Sequence, residues 1–558
     1  MRILVLSLLR LGDILLAAPA LAGLRAKNPK AEIHIVVNQS FIAVASLLPM
    51  VDKVIGFDRE LLQQGLVEAD RALFEPFDRL QSFVQELNSA NYDQVINLTQ
   101  NRFSGYLSAL IHAEDKVGMS LNNRGQASFG STWFRYLNNI VGAGARTIFH
   151  YSDIFQFGVG ISVDKMAVIK LSETAAGRAE YEAWRRGHPY TNEAKIVLQC
   201  QTSDDKKNWP IESWVKALEV LALTYPKAEL VALGAPFEKA KIDKFVEAAA
   251  AKKVRILPAF LSLEGALTLI NESDLLVTGD TSIKHLAALS STRIIEIALG
   301  SSDLRKTGAL KPDSIILSSA ESCAPCSHEA KCYRDRHYCA ESLAPELVGL
   351  VIGRYLQKDW QGLRLLADEY SDTSRIQRSR RMVNGFWYAE DLRQDQLNQQ
   401  ISDNLDRAAW KFLLEKEHTR RLATYGSESM NLKNWLDNYH LVEDGSRHLK
   451  IYLEQIENAT LSNEERLSRL IDDVTRQMRT VGTLSELDFI DRSMLKEMGE
   501  IEKVLGLGHY LTEKTQIERD TGLFRARQLQ TSLNEAALHQ QIKLKLVRSL
   551  KNMILEYQ

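Results

Sequence analysis

Short apolar runs alternate with stretches of helical periodicity through the first two thirds of the chain. Strand candidates are Ile3–Leu8, Glu32–Val37, Lys53–Phe57, Gln94–Leu98 and Lys116–Met119, with helix candidates at Ile14–Lys27, Pro76–Asn88 and Arg102–Ile111. The alternation restarts with strands at Lys195–Gln199, Glu229–Leu233, Val254–Ile256, Leu275–Thr278 and Arg293–Ile297. Helices are expected at Ile211–Thr224, Phe237–Ala250, Leu263–Asn271 and Ile283–Leu289. Strands separated by helices of this length imply βαβ units and parallel sheets. Two such series predict two Rossmann-like α/β lobes facing a cleft, over 1–175 and 190–355, with residues 173–190 as a helix and linker. The ligand site then belongs at the carboxyl ends of the strands.

From Trp360 the period changes. Leu397–Thr424, Glu464–Arg479 and Arg525–Glu556 are rich in Leu, Glu, Gln, Arg and Lys, and Leu467, Leu470, Val474 and Met478 recur at helical spacing. An all-α module is expected over 360–558. Proline and cysteine mark the same division: all 12 prolines and all 5 cysteines lie at or before Pro345.

Lys+Arg number 69 against Asp+Glu 71, for a net charge of −2. That balance excludes a chain-wide polybasic binder, and no nucleic-acid partner is expected. The opening MRILVLSLLRLGDILLAAPALA has the outline of a signal peptide, but Arg10 and Asp13 interrupt its apolar run. A buried strand, a turn at Gly12 and a helix fit better, and a cytoplasmic protein is expected. The basic stretch Arg375–Arg381 is the best local candidate for peripheral contact with a membrane, or else a solvated helix face.

Four patterns carry candidate chemistry. At the first strand–helix turn, Arg10, Gly12 and Asp13 place a carboxylate toward the cleft, as general base or as a helix-capping group. After the first strand of the second series, Lys206 and Lys207 stand before Trp209-Pro210 at a helix entrance, where lysines suit a diphosphate or simply a solvated loop. Gly234-Ala235-Pro236-Phe237-Glu238 offers a carboxylate for ribose hydroxyls, or a first-turn glutamate favoured by the helix dipole. Asp280, Thr281 and Ser282 open a helix with small polar groups and free amides, with Lys284 and His285 one turn in. His285 reads equally as a capped core histidine.

In this order and spacing the four patterns resemble glycosyltransferase family 9, the ADP-heptose:lipopolysaccharide heptosyltransferase family. The resemblance covers about residues 1–355. It implies a GT-B fold and an inverting transfer of a heptose, or a related sugar, from an ADP-sugar to a lipopolysaccharide-core or protein acceptor. Asp13 then matches the catalytic base, Lys207 the phosphate-binding lysine and Glu238 the ribose carboxylate. Asp280 matches the aspartate near the donor sugar, with Thr281 at the diphosphate. Two departures stand out. Ser282 occupies a position where the family often has Gly, and Lys206 competes with Lys207. Cationic side chains and helix amides suffice to stabilise the leaving diphosphate, so no catalytic metal is expected.

Cys323, Cys326, Cys332 and Cys339 follow a Cys-x2-Cys-x5-Cys-x6-Cys spacing, with His328 and His337 among them. Four thiolates suit a structural Zn or Fe site, with reduced thiols as the plain alternative. Cys200 reads as a core residue. The helical module is expected to serve oligomerisation or docking. It also admits a second reading, a scaffold or assembly protein with a degenerate GT-B part. A third is another GT-B nucleotide-sugar enzyme.

Overall fold

The computed structural model describes residues 1–60, 75–141, 147–162, 169–188, 194–327, 332, 334–382, 385–393, 403, 405–408, 411, 414, 443–480, 534, 536–548 and 551. Contacts divide the chain into two units. The first comprises Met1–Phe134, His150–Arg381 and Trp387–Gln394. The second comprises Arg135–Phe149, Met382–Phe386 and Asp395–Gln558.

The first unit holds two sheets. In the first lobe, β1 (Arg2–Ser7), α1 (Leu11–Lys27), β2 (Glu32–Asn38), β3 (Lys53–Phe57), α2 (Glu75–Ser89), β4 (Gln94–Asn97), α3 (Arg102–Leu110) and β5 (Asp115–Gly118) follow in chain order. The five strands are parallel in the order β3-β2-β1-β4-β5. β1 is an apolar run, and Ile3, Leu4, Val5 and Leu6 are all fully buried, as expected for a parallel strand covered on both faces. A further helix, α4 (Tyr151–Gly158), packs on α1.

The second lobe begins with α5 (Ala175–Arg186), the helix expected within 173–190, and it is tied to that lobe. Arg178 pairs with Glu272, Arg185 with Glu229, and the Trp184 indole N–H donates to the Pro258 carbonyl. Then come β6 (Lys195–Gln199), α6 (Ile211–Thr224), β7 (Glu229–Gly234), α7 (Lys239–Ala251), β8 (Ile256–Phe260), α8 (Leu263–Asn271), β9 (Leu275–Gly279), α9 (Ser282–Ala288), β10 (Arg293–Ala298) and β11 (Ile315–Ser319). Five strands repeat the order of the first lobe, β8-β7-β6-β9-β10, and β11 adds to it in parallel. β8 starts later than the apolar pattern predicts and contains Pro258; it is the edge strand, where a missing N–H is tolerated.

This sheet does not end near residue 355. After α10 (Pro345–Leu356) and α11 (Trp360–Glu369), β12 (Ser374–Arg381) pairs antiparallel with β11, and β13 (Trp387–Asp391) pairs antiparallel with β12. The expected all-α module from 360 therefore begins too early. Leu363, Ala367, Ile376 and Leu392 belong to the core of the second lobe. Arg375–Arg381 is a strand rather than a helix face or a basic patch open to lipid. Arg378 lies 3.7 Å over the Trp360 ring and 2.6 Å from Asp313, and Arg380 pairs with Asp313 and Glu390. Stems of arginine cover apolar surface while their heads stay paired.

The second unit contains α12 (Glu443–Thr480), 38 residues long. Glu457 on it binds Arg548 and Lys551, each at 2.7 Å, and Asp406 binds Lys543 at 2.7 Å. Leu405, Leu453, Leu467, Ile542 and Val547 are buried. Arg135–Phe149, expected in the first lobe, belongs to this unit: Phe149 meets Phe386 at 5.0 Å and Arg407 donates to the Ile148 carbonyl. Most of Leu397–Thr424, and the side chains of Leu470, Val474 and Met478, lie outside the described residues. Among the described residues no helix is long and apolar enough to cross a membrane.

Candidate functional site

In both lobes the strand order reverses beside the first strand, β1 or β6, and that is where open α/β sheets bind ligands. All four candidate patterns follow the carboxyl ends of strands: Asp13 after β1, Lys206 and Lys207 after β6, Glu238 after β7, and Asp280 after β9.

Asp13 is the third residue of α1, and its Oδ2 accepts the Arg10 backbone N–H at 3.0 Å. This is a capping bond, and it fixes the carboxyl at the head of the helix. Burial pushes the Asp13 carboxyl up, against the opposing pull of the Arg10 amide and charge. A raised carboxyl is suited to proton transfer. Beside it, a Cβ on Gly12 would lie 3.1 Å from His285 Cδ2. The head of α1 therefore closely approaches the second lobe's helix α9 at Gly12.

Asp204 shapes the loop after β6 by accepting backbone N–H groups: Lys206 N–H reaches its Oδ1 and Lys207 N–H its carbonyl. Asn208 accepts the Thr202 N–H at 2.8 Å, and Trp209 is buried with its indole N–H on the Ala340 carbonyl. This frame sends the two lysines apart. Lys206 Nζ reaches the Ser327 carbonyl at 3.2 Å, toward the cysteine loop. Lys207 Nζ reaches Asp280 Oδ2 at 2.7 Å. The approach of the two strand ends relies on Gly279, where a Cβ would stand 2.9 Å from Thr202 Cγ2.

Asp280 also binds Lys284 at 2.6 Å, and Lys284 binds Glu296 of β10 at 2.7 Å. Glu296 Oε2 accepts the Ala309 N–H at 2.9 Å. Lys284 is fully buried. Burial alone would raise Asp280, but the charges of Lys284 and Lys207 outweigh it and hold its carboxyl well below the ordinary range. Burial likewise opposes charge on Lys284, and Asp280 and Glu296 overcome it, so Lys284 stays protonated. Lys284, Glu296 and Gln199 had no role assigned from the sequence. Glu296 sits inside an apolar strand, and only the fold shows that it faces a lysine.

Thr281 precedes α9 and its hydroxyl donates to Gln199 Oε1 at 3.3 Å; Ser282 is the first helical residue. His285 is buried and its Nδ1 has no hydrogen-bond partner among the described residues. Burial, and then the charge of Lys284, keep it neutral. Glu238 spends Oε2 on the Ala235 N–H at 2.8 Å, beside an exposed Phe237.

The described cysteines are all free thiols. Burial raises the Cys326 thiol, and Cys339 and Cys332 are near enough to add to that. Among the described residues no three His, Cys, Asp or Glu side chains are gathered as a metal-ligand set. His328 lies outside the described residues.

Residues 80–337 match the model of glycosyltransferase family 9 (heptosyltransferase). The match lies within the α/β part of the chain, which is thus similar to family 9 glycosyltransferases. Lipopolysaccharide heptosyltransferase 1 of Escherichia coli (strain K12) is 25% identical over 293 residues, covering 52% of this chain and 84% of that protein. Lipopolysaccharide heptosyltransferase 3 of Escherichia coli is 20% identical over 288 residues, covering 51% and 80%. The fold is shared with the crystal structure of a glycosyl transferase family 9 protein from Veillonella parvula DSM 2008. It has a TM-score of 0.53 and 20% identity, and the match covers 64% of this chain and 98% of that one. The two α/β lobes thus have the GT-B fold, and the similarity to family 9 ends before β12, β13 and the helical region begin.

Proposed function

We propose that this glycosyltransferase transfers a heptose, or a closely related sugar, from an ADP-activated donor to a lipopolysaccharide-core or protein acceptor, on the cytoplasmic side of the membrane. The carrying observation is the contact of Gly12 with His285. It puts the Asp13 carboxyl, the candidate base, next to the helix whose head carries Asp280, Thr281 and Ser282.

Asp13 takes the proton of the acceptor hydroxyl as that oxygen attacks the anomeric carbon, and the bond to the diphosphate breaks. The leaving ADP gathers negative charge. Lys207 and the amides opening α9 meet it in a site held rigid in advance, which is the larger source of rate. Lys207 rather than Lys206 takes this role, since Lys206 is directed to the cysteine loop. Glu238 has one carboxylate oxygen on its own turn and offers the other to the ribose. Ser282 narrows the approach to the phosphates. The helical unit supports oligomerisation or acceptor docking. The cysteine spacing supports a structural Zn or Fe, and metal content after anaerobic purification decides that point.

Incubation with a panel of ADP- and UDP-sugars and candidate acceptors, read by mass spectrometry, tests the reading. Product from ADP-heptose supports it. Product from UDP-sugars alone overturns it.

A further inference from the structure

A fully buried lysine has no direct use in a transferase site, because it cannot reach the substrate. Lys284 nevertheless sits between Asp280 at 2.6 Å and Glu296 at 2.7 Å, and Lys207 meets the other oxygen of Asp280 at 2.7 Å. The four groups form a chain from the core to the cleft: Glu296, Lys284, Asp280, Lys207. Its inner end is fixed. Glu296 is almost fully buried, held by the Ala309 N–H, and Lys284 is part of the first turn of α9. Its outer end is a flexible side chain that is 14% exposed.

Both the resting pair and the donor compete for Lys207. If Lys207 were the sole counter-ion of Asp280, moving it onto a diphosphate would strand a buried, unpaired carboxylate, which is strongly unfavourable. We propose that Lys284, anchored by Glu296, is the standing counter-ion of Asp280, so that Lys207 is released to the donor diphosphate without leaving Asp280 unpaired. Lys284 is thus a positioning residue that acts through Asp280 and Lys207. The inference rests on the donor reading above.

The groups facing Asp280 are Lys207 from the loop after β6, Lys284 and His285 of α9 and Glu296 of β10, with His150 at the head of α4 beyond them, near Lys284 and His285. His285 is held neutral, and burial takes His150 down to about 3. Neither histidine exchanges a proton near neutral pH.

Proton uptake on binding ADP separates this role from simple packing. The double variant Lys284→Met/Glu296→Gln replaces both inner groups with neutral ones. Calorimetry at pH 7 in buffers of different ionisation heat gives the protons taken up per ADP, and comparison with the unmodified protein cancels the nucleotide's own titration. The double variant is expected to bind ADP at least about tenfold more weakly. It is also expected to take up about one additional proton per ADP, because a buried carboxyl deserted by its last cation protonates. If the double variant fails to fold, Glu296→Gln alone is measured, with a smaller additional uptake expected. Equal proton uptake in a folded variant overturns the inference and leaves the donor reading intact. Failure of the unmodified protein to bind ADP overturns both.

Discussion

Lys207 Nζ and Asp280 Oδ2 meet at 2.7 Å although 73 residues separate them in the chain. Lys206, its neighbour, turns to the Ser327 carbonyl. The two lysines therefore separate by experiment. Lys207→Met is expected to weaken ADP binding by about tenfold or more, the scale of one charge-assisted contact to phosphate. Lys206→Met is expected to change it by less than about threefold. Calorimetric titration of both variants checks this, and the reverse ranking would reassign the phosphate contact.

Asp13→Asn removes the base while keeping size and shape. Transfer is expected to fall by about 10²–10⁴-fold with ADP affinity unchanged. The pH profile of the unmodified enzyme carries the sign. A base must be unprotonated, and burial raises the Asp13 carboxyl. The rate is therefore expected to fall on the acid side at a pH above the ordinary carboxylate range, and Asp13→Asn abolishes that limb.

Gly12→Val puts branched carbons where even a single Cβ would stand 3.1 Å from the His285 ring. The contact between the lobes opens, and the base moves away from the donor helix. Loss of more than about tenfold in kcat/KM is expected, with a fall in melting temperature of only a few degrees. Wild-type-like turnover would show that this contact does not set the geometry.

Acid sensitivity has a named contributor. Ser152 N–H donates to His150 Nδ1, and His150 Nε2 donates to the Gly308 carbonyl, so the buried ring is neutral. Its pKa is lowered to about 3 from 6.5. The unfolded chain binds the proton first, so this stability is present above about pH 6.5 and is lost as pH falls toward 3. His150→Gln is expected to flatten the decline of melting temperature across that window. An unchanged slope would remove His150 from the account.

The second sheet sets where the chain can be cut. A protein ending at Leu356 lacks Leu363, Ile376 and Leu392 from its core and leaves β11 without its partner β12. At about 1.5–3 kcal/mol for each buried side chain, it is expected to melt at least about 10 °C below a protein ending at Gln394, or to aggregate through the open edge. Thermal melts of the two fragments make the comparison.

Much of the first unit was legible because parallel strands buried on both faces are written as unbroken apolar runs. β1, β6 and β9 are of this kind. β12 was not legible: Arg375, Arg378, Arg380 and Arg381 read as surface, and Asp313 and Glu390, the partners of Arg378 and Arg380, lie on other segments. The β8 boundary was obscured by Pro258, which only an edge position tolerates. In the site, Asp13, Lys207 and Asp280 were visible as chemistry at strand ends. Lys284 was visible only as a letter in a motif, since its burial depends on Glu296 in the next strand. Arg135–Phe149 carries no local sign that its partners come from beyond residue 382.

That last arrangement bears on how the protein is made. Arg135–Phe149 leaves the ribosome early, yet Phe386 and Arg407, which it packs against, are synthesised more than two hundred residues later. The second sheet likewise waits for Asp391 to close its edge. The nascent chain must carry an unfinished segment, and then an open sheet, while some two hundred further residues are made, an interval in which aggregation competes with folding.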